Sequence, residues 1–292
     1  MDLVGHPAGR YPNRRADIFW TVGYLANWHL IATSETYFAA YTTASPLRHA
    51  WSLAVEEQFY FVWPTIVFTL FWIGRHWRDR RPVAVEPESA RRPAVNRGKL
   101  LIIVATVAGT GLSALWMATA YDPLAPSTAY YATQGRLQEL FVGCLLAVLL
   151  PRLSRTPGRW MNWAATGALV MLLAALLLMS DEAGFYYRGG ALAVCLAVAV
   201  LLIGLETHPE GRTARIFSWR PAVGLGLISY GVYLWHWPMV VAIEITAGMS
   251  TGEQVLRQGL RIGLTLAASI ASYVLVEKPV LRSRVVLRPP GR

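Results

Sequence analysis

WMNWAATGALVMLLAALLLMS, residues 160–180, runs for 21 residues without a charged side chain. At 1.5 Å per residue such a helix is about 30 Å long, the thickness of a bilayer's hydrocarbon core. Seven further stretches are candidates of the same kind, roughly 17–33, 50–73, 100–121, 129–150, 189–206, 223–247 and 256–276. The first is short and aromatic-polar, and the fourth in chain order, 129–150, carries Arg136 and Glu139. The reading that follows is an all-α fold, a multi-pass transmembrane helix bundle of about eight spans. Residues 1–16 form an N-terminal segment, 17–277 the membrane domain and 278–292 a basic tail.

Composition agrees. The chain is 54% hydrophobic and 15% charged, with a mean hydropathy of +0.37, too apolar for an ordinary water-facing surface. A net charge of +10 raises nucleic acid as a partner, but the basic residues do not interleave with aromatics along one stretch. They fall between the apolar runs, where they orient a chain in lipid. With a cytoplasmic amino terminus, 22 of the 27 Lys and Arg residues lie on inner segments. Both termini are therefore expected in the cytoplasm, with membrane lipid as a partner and nucleic acid excluded. Arginine greatly outnumbers lysine, pointing to a G+C-rich bacterial gene. Residues 1–16 are polar and lack the pattern of a cleaved signal. Cys144 and Cys195 sit inside apolar runs and read as core residues, and no metal constellation is visible.

The segment HAWSLAVEEQFYFVWP, residues 49–64, enters a membrane run with a histidine, a serine and two glutamates on its first turns. Ser45-Pro46 offers an N-cap and an N1 proline, so a helix is expected to start there. On it His49, Ser52, Glu56, Phe59, Tyr60 and Trp63 share a stripe at 3–4 residue spacing. Glu57 is turned about 100° away, leaving Glu56 as the interior carboxylate and Glu57 as an interface or loop partner. Ser52 reads more readily as bonding its own helix backbone than as a nucleophile. Arg136 and Glu139, at i,i+3, either neutralise one another or hold a substrate. Ser229, Tyr230, Tyr233, His236 and Trp237 repeat the helical spacing in SYGVYLWHWP and read first as a packing cluster. Arg257 and Arg261 either meet an anion or snorkel. Ionisable groups within spans are costly and turn toward protein or water. Arg48, His49, Glu56, Glu57, Arg136 and Glu139 are expected to gather toward the external half of the bundle.

SPLRHAWSLAVEEQFYFVWP resembles the signature of the acyltransferase 3 family of bacterial membrane proteins. YLANWHLI, GRLQELFVGCLLAVLLPRL, ISYGVYLWHWPM and VEKPVLR match its pattern in order. The resemblance implies transfer of an acyl group onto a carbohydrate hydroxyl of a surface polysaccharide, peptidoglycan or glycosylated natural product. Acyl-CoA is the implied donor, and no bound cofactor is implied. Carried over by position, the catalytic residues are Glu56, His49 and Arg136. Substrate contacts fall to Trp51, Ser52, Gln58, Tyr60, Glu139, Tyr230, Tyr233 and His236. The family pattern commonly opens with a span bearing an arginine and, some ten residues on, a histidine. That span is not found here, so the domain is expected to be incomplete at its amino terminus, and a non-catalytic membrane protein retaining the fold stands as the alternative. Gln138 occupies a position where the family commonly carries tryptophan or another large residue.

Overall fold

The computed structural model describes residues 14–34, 45–79, 97–153, 158–180, 183–246 and 248–283. Most of the N-terminal segment and of the C-terminal tail, and residues 80–96 of the charged stretch after the second expected span, lie outside the described residues. The helices in chain order are α1 (Arg14–Val22), α2 (Ala26–Ala32), α3 (Trp51–Asp79), α4 (Arg97–Ala120), α5 (Pro126–Tyr131) and α6 (Thr133–Leu153). There follow α7 (Trp160–Leu178), α8 (Ala191–Thr207), α9 (Arg212–Phe217), α10 (Arg220–Leu227), α11 (Ser229–Ala242), α12 (Thr251–Ser272) and α13 (Lys278–Ser283). A 3-10 turn at Arg48–Ala50 leads into α3, and π-helical turns occupy Tyr186–Gly190 and Tyr273–Glu277. No strand occurs among the described residues, so the fold is all-α as expected.

Among the described residues four helical segments are long and apolar enough to cross a membrane: Arg97–Ala120, Trp160–Leu178, Tyr186–Thr207 and Thr251–Arg282. They coincide with four of the eight expected spans. Leu176, Leu177 and Leu178 at the end of α7 are 79–84% exposed, a surface suited to lipid rather than water. Three expected spans are interrupted, and of these 129–150 breaks at Ala132, which is extended between α5 and α6. Residues 17–33 break between α1 and α2, where Gly23 and Leu25 bond back to Phe19 and Trp20 and Tyr24 takes φ 55. Residues 223–247 break at Ile228, after the poor helix formers Gly224 and Gly226, and α11 is only 14 residues long. Nor does a helix start at Ser45-Pro46. Ser45 Oγ accepts from Leu47 N at 3.3 Å in a turn, and helical structure begins at Arg48.

The helices form two compact units. One holds α1, the turn at 48–50 and α10 to α13. The other holds α2 from Asn27, α3 from Ser52, and α4 to α8 with most of α9. In the second unit small residues let backbones approach closely, the usual device where lipid supplies no hydrophobic drive between helices. A Cβ on Gly74 of α3 would lie 2.6 Å from the Gly98 nitrogen of α4. Gly109 of α4 sits under the Phe141 ring of α6, and Ser113 Oγ donates to Gln134 O and accepts from Gln138 N. α7 and α8 meet through Ala165, Ala168, Ala197 and Leu201, with Gly204 against Ala165.

In the first unit α11 packs on α12, with Gly231 pressed against Ser269. α12 opens with a capping box of Ser250 and Glu253. Arg257 and Arg261 both reach back to the carboxyl end of α11. Arg261 donates to the carbonyls of Ile243 and Val240 and Arg257 to that of Glu244, closing orphan acceptors at the carboxyl end of α11.

Candidate active site

In the second unit the break between α5 and α6 is held by a buried polar network. Asn27, fully buried, donates through Nδ2 to Tyr131 O at 3.2 Å and Thr133 Oγ1 at 2.9 Å. Gln58 Nε2 donates to Asn27 Oδ1 at 3.0 Å, while Gln58 Oε1 accepts from Thr133 Oγ1 at 2.7 Å and from Trp28 Nε1 at 3.4 Å. Gln58, expected to touch substrate, thus has both ends of its amide engaged in joining α2, α3 and α6.

Just beyond that joint stands Arg136, with only 8% of its surface exposed. Its Nη1 donates to Glu139 Oε1 and to the Tyr186 hydroxyl, both at 2.7 Å, and its Nε donates to Tyr130 O at 3.0 Å. The guanidinium carbon lies 4.1 Å from the centre of the Tyr130 ring, a cation–π contact that helps hold a buried charge. The predicted Arg136–Glu139 pair therefore exists, and two tyrosines complete it. Tyr186 is delivered by the kink before α8, where Arg188 and Gly189 leave helical geometry and Gly189 takes φ 123, a conformation that favours glycine. Glu139 is 40% exposed at its side chain.

Glu56 lies within electrostatic range of Glu57 and Glu139. Glu56 and Glu57 are both half-buried, so burial does not rank one above the other. Of the stripe expected through His49, Ser52, Glu56, Phe59, Tyr60 and Trp63, Phe59 is buried while Ser52 and Glu56 are half-buried. The residues of these turns that are fully packed are Trp51, Ala54, Val55 and Phe59, while Tyr60 is 55% exposed. Phe59 stacks on Trp63 and meets Phe141 edge-on. Gln138 is almost fully buried and donates to Gly135 O and Met117 Sδ.

A cavity of about 390 Å³ opens below Arg136, Glu139 and Tyr186. Its walls are aliphatic faces of α6 and α8, with the Cys195 thiol among them. Both cysteines are free. No cluster of three His, Cys, Asp or Glu residues suited to a metal occurs among the described residues.

The first unit gathers the histidines. His49 lies 5.5 Å from His236 and 5.3 Å from Tyr233, ring centre to ring centre. The Tyr233 hydroxyl donates to the His49 carbonyl at 2.5 Å, and His236 Nδ1 is 2.6 Å from Tyr233 O. Trp237 Nε1 donates to Ser45 O, and Arg48 stacks over the Trp237 ring at 4.3 Å. Both His49 ring nitrogens are buried, and the backbones of Pro46 and Leu234 approach the ring without reaching hydrogen-bond geometry. Burial, followed by the nearby His236, holds the imidazole well below its ordinary value, at about 4. Tyr230 is 54% exposed.

The described residues thus divide the expected site between the units. His49, Trp51, Tyr230, Tyr233 and His236 belong to the first. Ser52, Glu56, Gln58, Tyr60, Arg136 and Glu139 belong to the second. Asn27, Thr133, Tyr130 and Tyr186 went unnoticed in sequence. An asparagine inside the aromatic-apolar run YLANWHLI was the local sign of the network, and the Gly189-Gly190 pair was the local sign of the kink that delivers Tyr186.

A helical bundle with membrane-length spans, a buried arginine–carboxylate–tyrosine group beside an apolar cavity in one unit and a histidine pair in the other together describe a membrane protein. The chain belongs to the acyltransferase domain family, which it matches over residues 18–276. It is 32% identical to the peptidoglycan O-acetyltransferase OatA of Listeria monocytogenes, over 93% of this chain and 41% of that protein. A Bacillus subtilis protein, YrhL, named provisionally as a peptidoglycan O-acetyltransferase, is 34% identical over 91% of this chain and 39% of its own length. The O-acetyltransferase OatA of Staphylococcus aureus is 25% identical over 91% of this chain and 41% of its length. The chain spans about two fifths of the length of these curated relatives. No solved structure gives a significant match.

Proposed function

We propose that the chain is a membrane O-acyltransferase, moving an acyl group from acyl-CoA to a carbohydrate hydroxyl. It would work in a bacterial cytoplasmic membrane with both termini cytoplasmic. The relatives' names favour cell-wall glycan as the acceptor. One observation carries the reading: a buried arginine, fixed by a carboxylate and a tyrosine, heads an apolar cavity of about 390 Å³.

The transfer breaks the acyl carbon–sulfur bond of the donor and forms an ester carbon–oxygen bond to the sugar. The hydroxyl proton passes to a base and finally to the departing thiolate. The candidate base, His49, belongs to the first unit and is held neutral by burial and the nearby His236. Arg136 and Tyr186 are the donors for the oxyanion that develops at the acyl carbonyl. Glu56 acts beside Glu139, tuning the charge around that group.

The test compares Glu56→Ala with Glu57→Ala at matched membrane abundance, reading alkali-labile acyl groups on the glycan. Glu56→Ala should lower transfer by roughly 10²-fold or more, the scale of a lost acid–base group, with Glu57→Ala close to wild type. Equal transfer by wild type and Glu56→Ala would remove the assignment.

A further inference from the structure

We propose that Asn27 is a positioning residue for Arg136: it grips both sides of the break between α5 and α6, and so holds the Tyr130 carbonyl and ring where they seat the guanidinium. The consequence for transfer rests on the acyltransferase reading above, whereas the hold on Arg136 rests on geometry. α5 ends at Tyr131 and α6 begins at Thr133, with Ala132 extended between them at φ -65 and ψ 130. The seat of Arg136 depends on that break. In an unbroken helix the Tyr130 carbonyl would accept from the backbone N–H of Gln134, and Arg136 would stand about 9 Å further along the axis. Here the chain folds back, and Arg136 Nε donates to that carbonyl at 3.0 Å with its guanidinium carbon 4.1 Å from the centre of the Tyr130 ring. Gly135 allows so close a fold, since a Cβ there would lie 3.0 Å from Ala129 O.

The grip is a closed ring of side chains. Gln58 Nε2 donates to Asn27 Oδ1 at 3.0 Å, Asn27 Nδ2 to Thr133 Oγ1 at 2.9 Å and the Thr133 hydroxyl to Gln58 Oε1 at 2.7 Å. Every donor points the same way round, an arrangement in which hydrogen bonds strengthen one another. Asn27 also reaches across the break, where Nδ2 donates to Tyr131 O at 3.2 Å. The end of α5 leaves its last carbonyls without intrahelical partners. Asn27 takes that of Tyr131 and Arg136 that of Tyr130, so a shift at the first carries through one residue to the guanidinium. Asn27 is itself fully buried, and therefore acts on transfer through Arg136 rather than by touching substrate.

The experiment uses the full chain in membranes and two readouts. Phenylglyoxal, which modifies accessible guanidinium groups, is followed at Arg136 by peptide mass spectrometry. Arg48, buried in the first unit, serves as the control for general loosening. Asn27→Ala should raise the rate at Arg136 relative to Arg48 by about fivefold or more, the population shift of one lost hydrogen bond. Thr133→Val, which keeps the shape and removes only the grip on α6, should move it the same way. Transfer from acetyl-CoA to cell-wall glycan by Asn27→Ala, per folded protein, should fall about tenfold or more in kcat with KM changed by less than about twofold, as when a group that acts in the transition state is misplaced. In an Arg136→Lys background Asn27→Ala should cost less than about threefold further, because the group it positions is gone. Labelling of Arg136 that rises only in step with Arg48, or in neither variant, overturns the proposal. So does an equal cost of Asn27→Ala in both backgrounds, or a loss confined to KM. Transfer of no acyl group by wild type removes the acyltransferase reading, and the labelling then decides the hold of Asn27 on Arg136 by itself.

Discussion

Gln58 decides between two accounts of the same motif. If it touches substrate, Gln58→Ala raises KM and leaves the fold alone; if it is a strut, the fold weakens. Removing the side chain deletes the good bonds to Thr133 and Asn27, and the 3.4 Å contact to Trp28 contributes little. Hydrogen bonds between membrane helices average about 0.6 kcal/mol, with a ceiling near 1.7. Fully buried Asn27 would keep an acceptor with no donor, which costs about 1–3 kcal/mol. The sum is about 2–4 kcal/mol. Gln58→Glu should be no milder, because a carboxylate oxygen would then face Asn27 Oδ1. Asn27 cannot turn its amide over without aiming that oxygen at the Tyr131 carbonyl. The assay is the thermal midpoint of purified protein in a fixed detergent, where this loss should amount to several degrees. A midpoint unchanged in Gln58→Ala, with transfer reduced through KM, would refute the strut.

Three further outcomes are expected. Gly74→Ala should destabilise by about 1–3 kcal/mol through overpacking, because its Cβ meets Gly98 backbone, whereas Gly111→Ala in α4 has open space and should be neutral or slightly stabilising; equal midpoints would refute the close crossing. Arg136→Lys keeps the charge but cannot reach Glu139, Tyr186 and Tyr130 together, so it should lose about 1.5–3 kcal/mol, less than Arg136→Met, and an inverted order in detergent unfolding would argue against the forked geometry. Between pH 6.5 and about 4 the unfolded chain protonates His49 while the folded chain does not, so stability falls as pH drops through that window; His49→Gln should flatten that part of the midpoint-against-pH curve, and an unchanged slope would show that His49 is not held neutral.

The parts of this fold that hydropathy foretells are those where one property persists along the chain. Residues 97–120, 160–178, 186–207 and 251–282 each hold a long apolar window, and each is helical. Interruptions are set by a few backbone angles, so nothing in the hydropathy of 17–33 or 223–247 marks the breaks at Tyr24 and Ile228. The same contrast governs the site. Arg136 and Glu139 meet because i,i+3 neighbours on a helix always can, but Tyr186 joins them from 50 residues away. Asn27 reaches Thr133 across 106 residues, and no local pattern encodes either closure.

The stripe on α3 shows where reading by charge goes astray. A face drawn through Ser52, Glu56 and Tyr60 assumes that the chemical residues define the interior. Burial follows apolar area instead, so Trp51, Ala54, Val55 and Phe59 take the packed side and leave Glu56 at its edge, half-buried. That edge is where a carboxylate can stay charged and still feel its neighbours. Full burial would force it to neutralise or to pair, and full exposure would let water screen it from Glu139. The sequence motif therefore marks the border between the core of the second unit and its polar head, and the apolar residues beside each glutamate decide how far in it stands.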